Sequence, residues 1–246
     1  MKPKRVEILG VPVDCLTMST ALDTVDSLIK GGKAGAIVAV NPEKVIRARG
    51  DPIFLKQLQA AELLIPDGIG VVWAARLLGL CHMERVPGSE LMPAICERAA
   101  QKGYKVFLFG ARPDVNERAV AVLRGRYPGI QIVGNHHGYV GAEQIPDLIK
   151  KINASAAQIL FVALGSPEQE RWMAKYLLQL DVKVCQGVGG TFDVIVGTVK
   201  RAPAIFLKMN LEWLYRLIAQ PRRAFRQTAL PKFAYQVLAY KWGRKV

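Results

Sequence analysis

The sequence contains no D-x-D, no G-x-x-x-x-G-K-[ST] and no G-x-G-x-x-G. The last two motifs build a phosphate cradle from fixed glycines ahead of a helix, so their absence argues against P-loop nucleoside triphosphatases and NAD-dependent enzymes. Without D-x-D there is no sign of a metal-bridged diphosphate site, and a bound diphosphate would have to be neutralised by protein cations, for which the planar arginine fork is suited. Cysteines are few and scattered: Cys15, Cys81, Cys96 and Cys185, with no C-x-x-C pair and no histidine at ligand spacing. That pattern predicts reduced, mostly buried thiols in a cytosolic protein and no structural zinc. His136 and His137 are adjacent; on an extended chain they point to opposite faces, which suits hydrogen bonding better than a metal. No apolar run approaches the roughly 20 residues of a membrane span. The most apolar window, Ile69–Leu80, is short and contains Arg76, and the opening MKPKRVEILGVPVD has no signal-length apolar stretch before Asp14. Any membrane contact is therefore expected to be peripheral.

Acids are scarcest where bases crowd. From Gly197 to Val246 there are eleven Lys and Arg residues and one acid, Glu212, within a chain of net charge +14 and pI about 9.8. This balance favours anionic partners: nucleic acid, acidic lipid or a phosphorylated substrate.

The 246 residues are 51% hydrophobic and 22% charged, enough for a full-sized folded core. Apolar runs at 36–40, 62–66, 105–109, 130–133, 159–164 and 182–186 end in Asn-Pro, Asp-Gly or glycine. Near-continuous apolar runs of this length read as strands covered on both faces. Between them lie helical patterns: Ser19–Lys30 with Ser19 as the expected N-cap, Glu90–Lys102 stopped by Gly103, Asp114–Tyr127, Gln144–Ile152 and Pro167–Leu180. The expected fold is α/β: a Rossmann-like, mostly parallel sheet sandwiched by helices, with a helical C-terminal appendage. The boundary falls near Gly197–Pro203, dividing a core of residues 1–196 from a basic amphipathic segment, 197–246. In that segment Leu207, Leu211, Leu214 and Ile218 form a helical stripe, interrupted at Pro221 and again at Pro231 before Phe233–Trp242.

In an open parallel sheet, ligands bind beyond the carboxyl ends of the strands. Small and polar residues occupy those ends here: Asn41, Asp67-Gly68, Gly110-Ala111, Gly165-Ser166 and the Gly187–Gly190 run. Glycine lets backbone amides approach phosphate, although it also serves simply to turn the chain. Asp67 follows a strand and precedes Gly68-x-Gly70, which opens a helix. It fits a general base aimed at a hydroxyl, and equally an N-cap. Asp193 would contact a ribose or base, or cap the next helix; Phe192 belongs to the same substrate-binding loop as Gly189 and Gly190. Arg216, Arg223 and Arg226 fall close to one face if the helix continues through Pro221. They read either as a solvated face attracting anionic lipid or as a clamp on diphosphate folded over the cleft.

The blocks IPDGIGVVWA (65–74), ERVPGSELM (84–92), VFLFGA (106–111), HHGYV (136–140), FVALGSPEQERW (161–172), GVGGTFDVIVGTVKRAP (187–203) and NLEWLYRL (210–217) resemble the WecG/TagA/CpsF glycosyltransferases, in order and over nearly the whole chain. The ending is most similar to TagA-type members. The resemblance implies a bacterial, inverting enzyme that needs no metal or other cofactor. Its donor would be UDP-N-acetylmannosamine and its acceptor undecaprenyl-diphosphate-linked N-acetylglucosamine, in wall teichoic acid linkage-unit assembly. Other UDP-hexose or uronic acid donors occur among similar proteins. Residue by residue, it implies Asp67 as catalytic base and Gln169, Asn41 and Arg85 as substrate-binding residues. Arg216, Arg223 and Arg226 would complete the site. The basic amphipathic segment 197–246 points to a peripheral position against an anionic membrane surface, at the cytoplasmic face, and its apolar stripe to homo-oligomers where no membrane is present. One position departs: members carry a Thr just before the Asn, where this chain has Ala39 and Val40. Two other classes are weighed beside the enzyme. Trp213, Tyr215 and Phe225 interleave with the arginines as in a nucleic-acid-binding surface, but the adjoining apolar stripe suits a bilayer better, so no nucleic-acid partner is expected. The other is a non-catalytic membrane scaffold, which release of UDP from a UDP-sugar would exclude.

Overall fold

Leu9 and Gly10, both with positive φ (54° and 78°), reverse the chain between β1 (Lys4–Ile8) and β2 (Val11–Cys15), an antiparallel hairpin. A two-residue loop with both φ positive carries the twist that flanking strands need. The sequence reading places no strand here, because Lys4, Arg5 and Glu7 break the apolar run on which it relies. An ion pair between the exposed Arg5 and the buried Asp14 ties the hairpin down. Asp14, 1% exposed, accepts from Arg5 at 2.7 and 2.9 Å and from the Leu64 amide at 2.7 Å. Its hydrogen bond holds the Arg5 guanidinium above its ordinary value.

The fold is that of a computed structural model, which describes residues 2–32, 34–199 and 228–243, together with Pro203, Phe206 and Tyr215. The central sheet consists of β3 (Gly35–Val40), β4 (Leu63–Pro66), β5 (Lys105–Gly110), β6 (Gln131–His136), β7 (Ile159–Ala163) and β8 (Val184–Gly187). Its order is β4-β3-β8-β7-β5-β6, and every pairing is parallel. Every residue of β3 and of β7 is buried, as continuous apolar strands between two helical layers must be. One layer is α1 (Met18–Gly31), α5 (Gly88–Lys102), α6 (Pro113–Arg126) and α9 (Thr191–Ile195). The other is α2 (Pro42–Gly50), α3 (Pro52–Gln59), α4 (Ile69–Leu77), α7 (Ile145–Ala154), α8 (Glu168–Tyr176) and α10 (Ala229–Lys241). The expected α/β sandwich with a C-terminal helix is the observed architecture.

Local differences have local causes. α1 is capped by Thr17 in a capping box with Thr20, not by Ser19. Asn41 and Asp51 each cap a helix, accepting from the Lys44 and Phe54 amides at 2.9 and 3.0 Å with proline in the next position. These N-cap–Pro pairs start α2 and α3, which the strand-end reading of Asn41-Pro42 passes over. Pro231 lies in the first turn of α10, where a missing N–H breaks no intrahelical bond, so the helix begins at Ala229 rather than after the proline. α8 gives way to a 3-10 turn at Leu177–Gln179.

The expectation of four reduced thiols is corrected. Cys15, at the end of β2, and Cys81, beyond α4, form a disulfide with Cα atoms 6.4 Å apart. Sixty-six positions separate them, and only the packing of the hairpin against the segment after α4 brings them together. Cys96 and Cys185 are buried free thiols; burial pushes Cys96 up to about 12 and raises Cys185 as well.

Candidate active site

The carboxyl ends of the strands form one edge, and the chain leaves it toward alternating layers. From β3 and β7 it passes into α2 and α8 in one layer; from β8, which lies between them, it passes into α9 in the other. Helices that diverge from neighbouring strands open a crevice, and this is where open α/β sheets take ligands.

Asp67, Asn41 and Arg85 meet at one corner of that edge. The Asp67 amide donates to the Val40 carbonyl at 2.8 Å, and the Val86 amide donates to the Pro66 carbonyl at 2.8 Å. These bonds lay the segment with Arg85 along the end of β4, beside the turn that carries Asp67. Arg85 reaches Glu90 at 3.4 Å. α4 is capped at Gly68 with no side-chain cap bond, so Asp67, one residue earlier, is not its N-cap. Gly68 has φ 112°, and a Cβ there would touch Asn41 and Pro42 at 3.7 and 3.5 Å. The Asp67 turn therefore packs directly on the start of α2. The Asn41 side-chain oxygen is itself engaged in capping α2.

Two strand spacings away, about 10 Å, lies the β8 loop. Gly189, with φ 56°, donates its amide to Gln169 Oε1 at 2.8 Å. Gly187 leaves no room for a side chain, since a Cβ would stand 2.6 Å from Gln169 Nε2. Gln169 is 3% exposed, so it holds the loop from beneath. Gly190 is exposed. Phe192 is fully buried in the core, leaving its backbone as the part near the loop. Asp193 lies in the first turn of α9, and Thr198 donates to its side-chain and main-chain oxygens at 3.1 and 3.0 Å.

On the far side of β7, Gly110 (φ 116°) and Ala111 (φ 57°) make the turn from β5 to α6. A Cβ on Gly110 would collide with the Ala163 carbonyl, which the Ala111 amide also meets at 2.9 Å. Close backbone approach explains the glycine here. His136 ends β6, its Nδ1 2.9 Å from the His137 carbonyl. Among the described residues no three His, Cys, Asp or Glu side chains gather in a way that would hold a metal ion.

Sequence reasoning misses one pair. Lys44 Nζ, in α2, donates to Glu170 Oε1, in α8, at 2.7 Å, and Gln169 Nε2 donates to the same oxygen at 3.0 Å. Both charged side chains are buried, 7% and 1% exposed. Burial alone would raise the Glu170 carboxyl, but Lys44, Gln169 and Ser166 together hold it below its ordinary value. Glu170 lies within the quoted FVALGSPEQERW block; nothing in the sequence pairs it with a lysine 126 positions away.

The C-terminal helix returns to this region. α10 packs on α2 and α4, with Phe233 and Val237 in the core. A Cβ on Gly70 would stand 3.7 Å from the Phe233 ring and 2.8 Å from Pro42. Tyr235, Tyr240 and Trp242 are exposed, as are Lys232 and Lys241. Arg216, Arg223 and Arg226 lie outside the described residues, as does the apolar stripe from Leu207 to Ile218. No described helix is long and apolar enough to cross a membrane.

Residues 6–246 match the family model described as Glycosyl transferase WecG/TagA/CpsF family. The chain belongs to this family. It is thus a glycosyltransferase, with the crevice at β8 as its candidate active site. Two similar proteins, one from Bacillus spizizenii (strain ATCC 23059 / NRRL B-14472 / W23) and one from Staphylococcus aureus (strain MRSA252), are both named N-acetylglucosaminyldiphosphoundecaprenol N-acetyl-beta-D-mannosaminyltransferase. The first is 38% identical over 209 residues, 85% of this chain and 80% of that protein. The second is 36% identical over 239 residues, 96% of this chain and 93% of that protein.

Proposed function

We propose that this family member transfers N-acetylmannosamine from UDP to undecaprenyl-diphosphate-linked N-acetylglucosamine, inverting the anomeric centre and using no metal. The observation that carries the reading is the placement of Asp67 at the end of β4, against the start of α2 and beside Arg85. The names of the two relatives supply the sugar and the acceptor. Asp67 takes the proton of the acceptor hydroxyl as that oxygen bonds to the anomeric carbon, and the bond from that carbon to UDP breaks on the opposite side. UDP leaves with the electron pair. The donor lies along the β8 loop, which Gln169 holds in shape from beneath and whose exposed Gly190 backbone faces it, with Asp193 on the nucleoside side and the Gly110-Ala111 turn closing the site. Arg216, Arg223 and Arg226 neutralise the departing diphosphate in place of a metal, an electrostatic role that strengthens as water is excluded. Missing D-x-D and the basic composition of residues 197–246 support this. That segment acts as an appendage to the 1–196 core and docks peripherally on an anionic membrane surface at the cytoplasmic face. The exposed Tyr235, Tyr240 and Trp242 beside Lys232 and Lys241 fit such an interface.

The test is release of UDP from a panel of UDP-sugars with a lipid-diphosphate-GlcNAc acceptor, with and without chelator. UDP-N-acetylmannosamine is expected to be the preferred donor, chelator to have no effect, and Asp67→Asn to lower turnover by at least a hundredfold while UDP still binds. Near-normal turnover of Asp67→Asn refutes the base assignment. Preference for another donor refutes the sugar, and loss of activity with chelator refutes metal independence.

A further inference from the structure

We infer that Lys44 and Glu170 are positioning residues that hold the Asp67 corner and the β8 loop in register across the crevice. The inference rests on the functional reading above for what the two sides carry, and on geometry for the strut itself. Lys44 stands in the first turn of α2; its amide donates to Asn41 and its ammonium to Glu170. Asn41 and Pro42 are the residues against which Gly68, next to Asp67, packs. On the other side, Gln169 shares Glu170 Oε1 with Lys44 and accepts the Gly189 amide. A continuous chain of contacts thus runs from the base-bearing turn through Asn41, Lys44, Glu170 and Gln169 to Gly189. It passes beneath the end of β8, joining the helices that follow the strands on either side, β3 and β7.

A charged pair is an exacting way to join two helices. Buried ion pairs add little net stability over apolar side chains of similar volume, whereas removing one partner is strongly destabilising. Here the pair does what an apolar contact would not: its shared oxygen orients the Gln169 amide, so that the carbonyl end faces the Gly189 N–H. Gln169 has no room to turn freely, because Gly187 stands against its Nε2. With Glu170 uncharged, the ion pair with Lys44 no longer fixes the shared oxygen, and a glutamine there can turn its NH2 rather than its oxygen toward Gln169. With the side chain truncated the oxygen is gone, and in either case the orientation that gives the Gly189 amide its acceptor is no longer set. The loop that receives the donor then shifts relative to Asp67, and in-line displacement is sensitive to errors on the scale of 1 Å.

The experiment uses the full chain. Glu170→Gln removes the charge with little change in shape. The double variant Lys44→Met with Glu170→Leu removes both charges together, which keeps the test open if a lone buried lysine prevents folding. Two readouts are taken: amide exchange of residues 187–192 without substrate, and kcat with KM for donor and acceptor. Exchange in that loop is expected to rise at least tenfold and kcat to fall at least tenfold. KM for the lipid acceptor is expected to stay within twofold and the double variant to keep a near-normal Tm. A purely structural pair would lower Tm while leaving loop exchange and the kcat of folded molecules within twofold of wild type, and that result overturns the inference. If the unaltered chain transfers no sugar, the functional reading fails, and the exchange measurement still decides whether the strut holds the loop.

Discussion

Replacing Phe233 by alanine should release the C-terminal helix while leaving the sheet intact. Phe233 is 2% exposed and forms, with Val237 and Ala239, the buried side of α10. Its ring lies against α4 at Gly70, where a Cβ would stand 3.7 Å from it. Truncating a buried phenylalanine typically destabilises by roughly 3–5 kcal/mol. α10 has 13 residues, a length that is marginal for an isolated helix in water, so its order depends on this packing. A loss of that size corresponds to roughly a hundredfold to several-thousandfold in the opening equilibrium. Amide exchange across residues 229–241 should accelerate by such a factor, while β7 and β8, central in the sheet, keep wild-type protection. If Arg216, Arg223 and Arg226 act on the diphosphate as proposed, transfer to the lipid acceptor should fall too, since α10 fastens the chain that follows them in sequence. Hydrogen exchange read by mass spectrometry, run beside the transfer assay, decides the matter. Exchange in α10 within twofold of wild type refutes the claim that Phe233 anchors it; simultaneous loss of protection in β7 refutes the claim that α10 opens separately from the sheet.

Glu170, held below its ordinary value, contributes stability above the unfolded-state glutamate pKa and loses it as pH falls through the lowered folded value. The Tm gap between wild type and Glu170→Gln should therefore be constant near neutrality and close in acid; a gap independent of pH from 3 to 7 contradicts the pairing. Reducing the Cys15–Cys81 bond reopens a loop spanning 66 positions, worth roughly 4 kcal/mol in the chain-entropy account. Reductant should then lower Tm by roughly 8–16 °C at this chain length, while a Cys15→Ala/Cys81→Ala double variant should be insensitive to it; equal reductant sensitivity in both proteins refutes the bond as its source.

The sequence by itself determined the layered α/β architecture. Runs such as AIVAV and ILFVAL are apolar at every position, which only a strand covered on both faces accommodates, and the glycines and polar residues that close them mark the ligand-bearing edge. Asp67, Asn41 and the Gly187–Gly190 run were legible for that reason: their position at strand ends is a property of the local chain, whereas Gln169 entered only through the family resemblance. Only the tertiary structure decided strand order, which sets β8 between β3 and β7 and so brings the Gly189 loop within two strand spacings of Asp67. It also joined Cys15 to Cys81, paired Arg5 with the buried Asp14, laid Phe233 on α4, and turned Gln169 inward to hold a loop. Lys44 and Glu170 show the physical reason most clearly. In the sequence Glu170 is one of several charges in the helical pattern Pro167–Leu180, and Lys44 lies in a segment with no helical pattern assigned. What buries them together is the strand order, which sets the helices that follow β3 and β7 on the same face of the sheet to either side of β8, a pairing that no periodicity, spacing or composition of the chain encodes.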